Sequence, residues 1–297
     1  MQSTSGDSYT PNPQSSNPKS PSLVNIPVII PDWPAPAKVR ALQTTRSGGN
    51  SSAPYHSLNL GTHVGDAPLV VARNRNALNT LLPSEPVWLE QVHGTRVANA
   101  DAANCREIAD ACIATKRGGV CVVMTADCLP ILLCNTQGTV VAAVHAGWRG
   151  LAAGVIEATV QAMQNSVSQQ LALQPLQLMA WLGPAISQTA FEVGAEVRDC
   201  FVAQNPDTAA AFTPSPPRGG VQPVLSLSKE GEGKSAERSA PEKFHADLYA
   251  LARLRLQALG ITQIYGGDHC TYRESDTFFS YRRDGVTGRM ATFIWLE

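Results

Sequence analysis

Two histidines and one cysteine stand where apolar runs end in tight or glycine-containing turns: Val92-His93-Gly94, Ala126-Asp127-Cys128 and Val144-His145-Ala146-Gly147. Imidazole nitrogen and thiolate sulfur are donors that zinc favours, and three protein ligands leave a fourth position for water or substrate. Brought together, His93, Cys128 and His145 would form an open site of the catalytic type, better suited to zinc than to copper. A closed structural site needs a fourth protein ligand, and no further Cys or His lies near in a ligand-like pattern.

The elements that must position these residues are legible between Gly118 and Ala162. Val120–Met124, Ile131–Cys134 and Val140–Val144 are short apolar runs rich in β-branched residues and bounded by turn residues, which predicts three buried strands. Cys128 then falls in the turn after the first strand and His145 at the end of the third, on the rim of a rigid sheet. Beyond His145 the period changes. Leu151, Val155, Thr159 and Met163 recur every four residues, which predicts a helix, and small residues around Gly150 and Gly154 allow it to pack closely.

At Gly147-Trp148-Arg149-Gly150 the strand would turn into that helix, so that backbone N–H groups and Arg149 face the site and favour an anion such as phosphate. The stretch matches no glycine-rich phosphate fingerprint, and a turn carrying a surface arginine is the plainer alternative. Asp127, beside Cys128, reads equally as a turn aspartate or as a group that orients a ligand or exchanges a proton.

The chain has 297 residues, 43% of them hydrophobic, enough to bury a substantial core. Its formal net charge is -1 and its basic residues form no block, which argues against a nucleic-acid partner. No apolar segment approaches the roughly 20 residues that span a bilayer, and the N-terminus lacks the features of a signal peptide. A cytoplasmic protein without a membrane partner is expected. Seven cysteines, an odd number, mostly in apolar runs, make a disulfide framework improbable. The oligomeric state is left open, with a monomer as the default.

Residues 1–25 are rich in Ser, Asn, Pro and Thr and read as a disordered tail. Residues 213–243 combine Pro, Gly, Ser, Lys and Glu and read as a disordered insertion within the domain of residues 26–297. Elsewhere Pro86–Val92, Leu176–Leu182, Ile261–Tyr265 and Arg289–Leu296 predict strands, and Leu248, Leu251, Ala252 and Leu259 a helix. The result is a mixed α/β chain in which strands outnumber helices. Their irregular order and the lack of a G-x-G-x-x-G or P-loop disfavour a doubly wound fold.

Leu89–Gly94, Met124–Pro130, His145–Leu151, Trp181–Ile186, Phe191–Gly194 and Phe278–Asp284 together resemble the successive signatures of the YfiH-like family. The likeness runs from about Ile29 to Glu297, apart from the insertion. This family was first labelled multicopper polyphenol oxidoreductase, or laccase domain, and was later associated with purine nucleoside phosphorolysis and adenosine deamination. The resemblance implies a single-domain α-β sandwich with a mixed β-sheet and zinc on His93, Cys128 and His145. It implies phosphorolysis of adenosine, inosine, guanosine and methylthioadenosine by inorganic phosphate, with deamination of adenosine. In that chemistry Arg149, with Arg282 or Arg283, would position phosphate and Asp127 would serve as acid/base. His63 lies in a loop typical of the family and either borders the substrate or is structural.

Two alternatives remain alongside. A laccase with a blue copper and a trinuclear cluster would consume about ten histidines, whereas the chain has six and no His-x-His pair. A cysteine hydrolase would use Cys128 as nucleophile and His145 as its base. His56, His245, His269 and Cys270 show no ligand-like spacing and receive no role.

Overall fold

In the computed structural model, residues 26–102, 107–167, 176–216 and 242–297 are described. In chain order the strands are β1 (Val28–Ile29), β2 (Val39–Thr44), β3 (Val97–Asn99), β4 (Ala111–Ala114), β5 (Cys121–Thr125), β6 (Leu129–Asn135), β7 (Val141–Ala146), β8 (Leu178–Leu182), β9 (Glu192–Gly194), β10 (Phe212–Pro214), β11 (Lys243–Ala246), β12 (Gln263–Gly266) and β13 (Met290–Leu296). The helices are α1 (Pro68–Leu78), α2 (Trp148–Ala153), α3 (Val155–Ser166), α4 (Ala195–Val202), α5 (Leu248–Ala258) and α6 (Tyr281–Asp284).

The three apolar runs around the candidate ligands form β5, β6 and β7, but not in one sheet. A six-stranded sheet runs β12-β8-β6-β7-β4-β3, parallel at its two outer pairs and antiparallel within. β5 instead closes a four-stranded antiparallel sheet, β1-β2-β13-β5. A short antiparallel sheet, β10-β11-β9, is the third, and its Val193, Phe212 and Phe244 join the core of the six-stranded sheet.

Side-chain alternation explains why the two larger sheets stack. On β6, Ile131 and Leu133 enter a core shared with α2, α3 and α5, while Leu132 and Cys134 enter a second core with Val123, Ile294 and Leu296 of the four-stranded sheet. On that sheet, Val122, Met124 and Phe293 point the other way, against Leu58, Leu60 and Leu78. The layers are therefore helix, sheet, sheet, helix, in a single α-β sandwich. Because the central strands are covered on both faces they read as unbroken apolar runs, and burying each large side chain contributes about 1.5–3 kcal/mol.

Several expectations change. The period-four helix is two helices, broken at Gly154, whose φ of 97° ends α2 in the left-handed region. Pro86–Val92 is not a strand and makes only isolated bridges at Val87 and Glu90. At its end the Val92 N–H goes to the Asp110 carboxylate and not to a neighbouring strand. The Gln91 side chain meanwhile bonds both backbone groups of Met124. The tail 1–25 lies outside the described residues, as do 217–241 of the expected insertion. The ends of that stretch are ordered strand, with Thr213 opposite His245 and Pro214 opposite Phe244. Among the described residues no helix is long and apolar enough to cross a membrane.

Candidate active site

Register brings the three candidate ligands together. β6 and β7 pair with Leu129 opposite Ala146 and Pro130 opposite His145, so Cys128, just before β6, meets the end of β7. His93 arrives from the loop after Val92. The ligand atoms of His93, Cys128 and His145 all lie within 4.8 Å of one another. Cys128 Sγ is 3.7 Å from His93 Nε2, and the two imidazole rings meet edge to face with centroids 4.8 Å apart.

A fourth residue, absent from the sequence reading, holds this cluster. Asp110 is fully buried just before β4, which pairs with β7. Its carboxylate accepts hydrogen bonds from the backbone N–H of Val92 (3.2 Å), His93 (2.9 Å) and Gly94 (2.6 Å), and lies 2.8 Å from His145 Nδ1. Those three bonds offset the cost of His93 at φ 60°, about 1–3 kcal/mol for a non-glycine residue in the left-handed region. With Nδ1–H donated to Asp110, His145 presents its other nitrogen to the cluster. The only signal in the sequence was a carboxylate within the apolar run Ala109–Ile113.

The electrostatics follow from this packing. Burial would raise the Asp110 carboxyl, but the His145 hydrogen bond and the N–H groups of Gly94 and Val92 hold it below its usual range. Burial would also raise the Cys128 thiol, yet His145 and then His93 more than offset this and bring it to about 6. His145 is pulled down by burial and raised further by Cys128 and Asp110, to about 9. Cys128 is therefore a thiolate at neutral pH, the form that binds metals and attacks electrophiles.

The glycines after His145 serve close approach. A Cβ on Gly147 would stand 2.6 Å from His93 Cδ2 and 3.0 Å from Cys128 Sγ, and one on Gly150 would stand 3.0 Å from the Gly94 carbonyl oxygen. The expected anion-binding helix start is weak, because α2 has only six residues over which peptide dipoles can add.

The cluster forms one wall of a cavity of about 580 Å³. Trp148, Phe191 and Tyr281 supply aromatic walls, and His63, Asp127, Arg149, Arg282 and Arg289 line it as well. Arg149 is exposed and lies over the Trp148 ring at 4.5 Å. Arg282 lies over Phe191 and donates to the Glu192 carbonyl at 3.0 Å. Asp127, at φ 92°, accepts from the Thr271 hydroxyl (2.6 Å) and the Arg282 backbone N–H (2.7 Å), so both its oxygens are engaged. Arg283 is turned to structural work, donating to the carbonyls of Thr271, Tyr272 and Phe278 and pairing with Asp284. The His63 pKa is lowered by burial and then by Arg289 and Arg75. Gln91, Thr125 and Arg289 line the same cavity and were not singled out from sequence, because their motifs carry no spacing of their own.

The donor set fits a metal. Ligand atoms around a four-coordinate zinc stand roughly 3.3–3.8 Å apart, as bond lengths near 2.0 and 2.3 Å require. The Cys128 to His93 separation is already in that range. Of the remaining histidines, His245 meets the Gln188 carbonyl and His269 the Glu274 carboxylate. Among the described residues this is the one group of three or more His, Cys, Asp or Glu side chains able to hold a metal ion.

A single-domain α-β sandwich whose strand ends gather an open His/Cys/His cluster beside an arginine-lined cavity defines the class. The chain belongs to the family described as multi-copper polyphenol oxidoreductase laccase, whose model matches residues 40–297. It is 48% identical over 269 residues to a purine nucleoside phosphorylase of Pseudomonas aeruginosa, covering 91% of this chain and 98% of the relative. It is 49% identical over 272 residues to the purine nucleoside phosphorylase YfiH of Escherichia coli, with the same two shares. A solved Neisseria meningitidis structure superposes with a TM-score of 0.75 at 49% identity, over 91% of this chain and 99% of that one. YlmD from Geobacillus stearothermophilus gives 0.69 at 29% identity, over 88% and 93%.

Proposed function

We propose that this chain is a zinc-dependent purine nucleoside phosphorylase acting on adenosine, inosine, guanosine and methylthioadenosine, with adenosine deaminase activity. The observation that carries the reading is the open His93, Cys128, His145 cluster in the wall of a cavity that also offers three arginines and aromatic faces. Relatives of near half identity named as purine nucleoside phosphorylases support it.

In phosphorolysis a phosphate oxygen bonds to ribose C1′ as the C1′–N bond to the base breaks, and the base leaves with the electron pair and takes up a proton. Trp148, Phe191 and Tyr281 suit a planar base, through offset or edge contacts. Arg149 and Arg282 attract and orient the phosphate as charge-assisted donors. His63, in its loop, borders the nucleoside. Asp127, with both oxygens engaged, orients the segment that carries Arg282. Zinc held by His93, Cys128 and His145 would act as a Lewis acid and lower the pKa of water toward about 7, the chemistry that deamination at C6 of adenine needs. Six free cysteines among the described residues fit the reducing cytoplasm.

A second reading has its own observation. A Cys128 thiolate beside His145 is also the arrangement of a cysteine hydrolase. Metal analysis and product analysis separate the two. Protein purified without added metal should carry close to one zinc per chain, lost in His93→Ala, Cys128→Ala and His145→Ala. It should convert adenosine to inosine without phosphate and release ribose 1-phosphate and adenine with it. Arg149→Met should weaken the phosphate-dependent reaction more than deamination. An active metal-free enzyme would favour the hydrolase, and base release without phosphate would overturn phosphorolysis.

A further inference from the structure

Of the three cluster residues, His93 is the one that no strand places. His145 belongs to β7, and Cys128 stands between the end of β5 and the start of β6. Cys128 is also anchored next door, where the Asp127 carbonyl accepts from the Ile186 N–H at 2.9 Å. His93 follows a segment that makes only isolated bridges, at Val87 and Glu90, and its own backbone has φ 60°. Its place must come from side-chain ties.

Two such ties exist, one toward each of the stacked sheets. Asp110, just before β4 of the six-stranded sheet, accepts from the backbone N–H groups of Val92, His93 and Gly94 and faces His145. Gln91, two positions before His93, makes the other. Its Nε2 donates to the Met124 carbonyl and its Oε1 accepts from the Met124 N–H, both at 2.8 Å.

Met124 calls for that partner because β5 is the edge of the four-stranded sheet and pairs only with β13, Met124 opposite Ala291. Both backbone groups of a strand residue point to one side, so those taken by Gln91 face away from β13, where an edge leaves them without a ladder. A carboxamide offers a donor and an acceptor in one plane, as a peptide unit does. Gln91 therefore takes the place of a neighbouring strand at the residue that leads, four positions on, to Cys128. Asp110 relates His93 to His145, and Gln91 relates His93 to the strand that delivers Cys128.

We infer that Gln91 is a positioning residue that sets the reach of His93 toward Cys128, so that the three ligands are spaced for a metal ion before one binds. It acts through the backbone of both segments and not by touching the metal. The 3.7 Å between Cys128 Sγ and His93 Nε2 is the spacing it maintains. The inference rests on the zinc reading of the cluster.

The test uses the full chain, apo and loaded with zinc or cobalt(II). Competition with a chelator reads zinc affinity, the thiolate-to-cobalt charge-transfer and d–d bands read ligand geometry, and melts of the apo protein read stability. Gln91→Met keeps the length of the side chain and loses both bonds. It should weaken zinc binding by about tenfold or more and shift or weaken the cobalt bands. Gln91→Asn, one methylene too short to reach Met124, should do the same. Ile294→Val, buried in β13 opposite Cys121, is the packing control. It should lower the apo melting temperature by a few degrees and leave zinc affinity within about twofold. Unchanged zinc affinity and cobalt bands in Gln91→Met overturn the role. An equal loss of zinc affinity in Ile294→Val overturns it too, since stability alone would then explain both. A raised adenosine KM at unchanged zinc affinity overturns it in favour of a direct substrate contact. Wild type that takes up neither metal defeats the zinc reading and this role with it, whereas loaded wild type and unaltered variants defeat the role alone. Should Gln91→Met fail to fold, Gln91→Asn decides.

Discussion

The two walls of the cavity are held in opposite ways. On the histidine and cysteine wall the supporting groups are satisfied: Asp110 takes three backbone N–H groups and faces His145, and Gly147 leaves just enough space for His93 and Cys128. On the arginine wall Arg289 hydrogen-bonds through Nη1 only, among the described residues, and Arg149 is exposed. A metal site gains from ligands that are already in place before binding, whereas a site for exchanging substrates needs groups whose partners come and go. The difference teaches that local hydrogen-bond saturation separates the fixed part of this centre from the part that meets ligand.

Asp110→Asn attacks that contrast most strongly. An amide accepts through one oxygen only and turns its NH2 toward backbone donors, so the variant should lose about 3 kcal/mol or more of stability. It should also lose about 10–100-fold in zinc affinity. Denaturant melts and competition with a chelator measure the two effects. Unchanged zinc affinity would mean that the ligand wall does not depend on its carboxylate.

Gly147→Ala sharpens the same comparison with a smaller change. Gly147 has φ -65° and ψ 156°, which alanine adopts freely, so backbone strain plays no part. The added methyl meets His93 and Cys128, and zinc affinity should fall by about tenfold, a typical loss when ligands are displaced. Calorimetric phosphate binding should remain within about twofold of wild type, since the arginine wall is untouched. A parallel loss of phosphate binding would show that the two walls are coupled.

The smallest effect is expected where β10 and β11 end. β10 and β11 pair up to Pro214 and Phe244, and Ser215 N–H still donates to the Lys243 carbonyl at 2.8 Å. Replacing residues 217–241 by a two-residue turn between Pro216 and Glu242 should therefore change stability by no more than about 1 kcal/mol. Activity should be retained. A large drop in melting temperature would show that this segment packs on the domain.

Legibility followed the same division. His93, Cys128 and His145 could be read because their donor chemistry is rare and each ends an apolar run. β5, β6 and β7 could be read because burial on both faces leaves unbroken β-branched stretches. Asp110, Thr125 and Arg289 could not, since an aspartate, a threonine and an arginine are ordinary residues until a particular neighbour arrives. Pro86–Val92 was misread as a strand for a related reason, its contacts being isolated bridges and a Val92 N–H bond to the Asp110 side chain that a propensity pattern cannot express. In Leu151–Met163 the four-residue period correctly marked the buried face, while the left-handed turn at Gly154 was hidden within it.

By itself, then, the sequence determined the α/β class, the buried central strands and the three metal-type donors, because composition, periodicity and side-chain chemistry are local properties. Only the tertiary structure decided that Asp110 underlies His145, that Gly147 makes room for two ligands, and that Arg289 reaches the cavity wall. The ligand cluster comes from strand register between segments, β4 on β7 and β6 on β7, where a shift of one residue would turn each side chain to the opposite face.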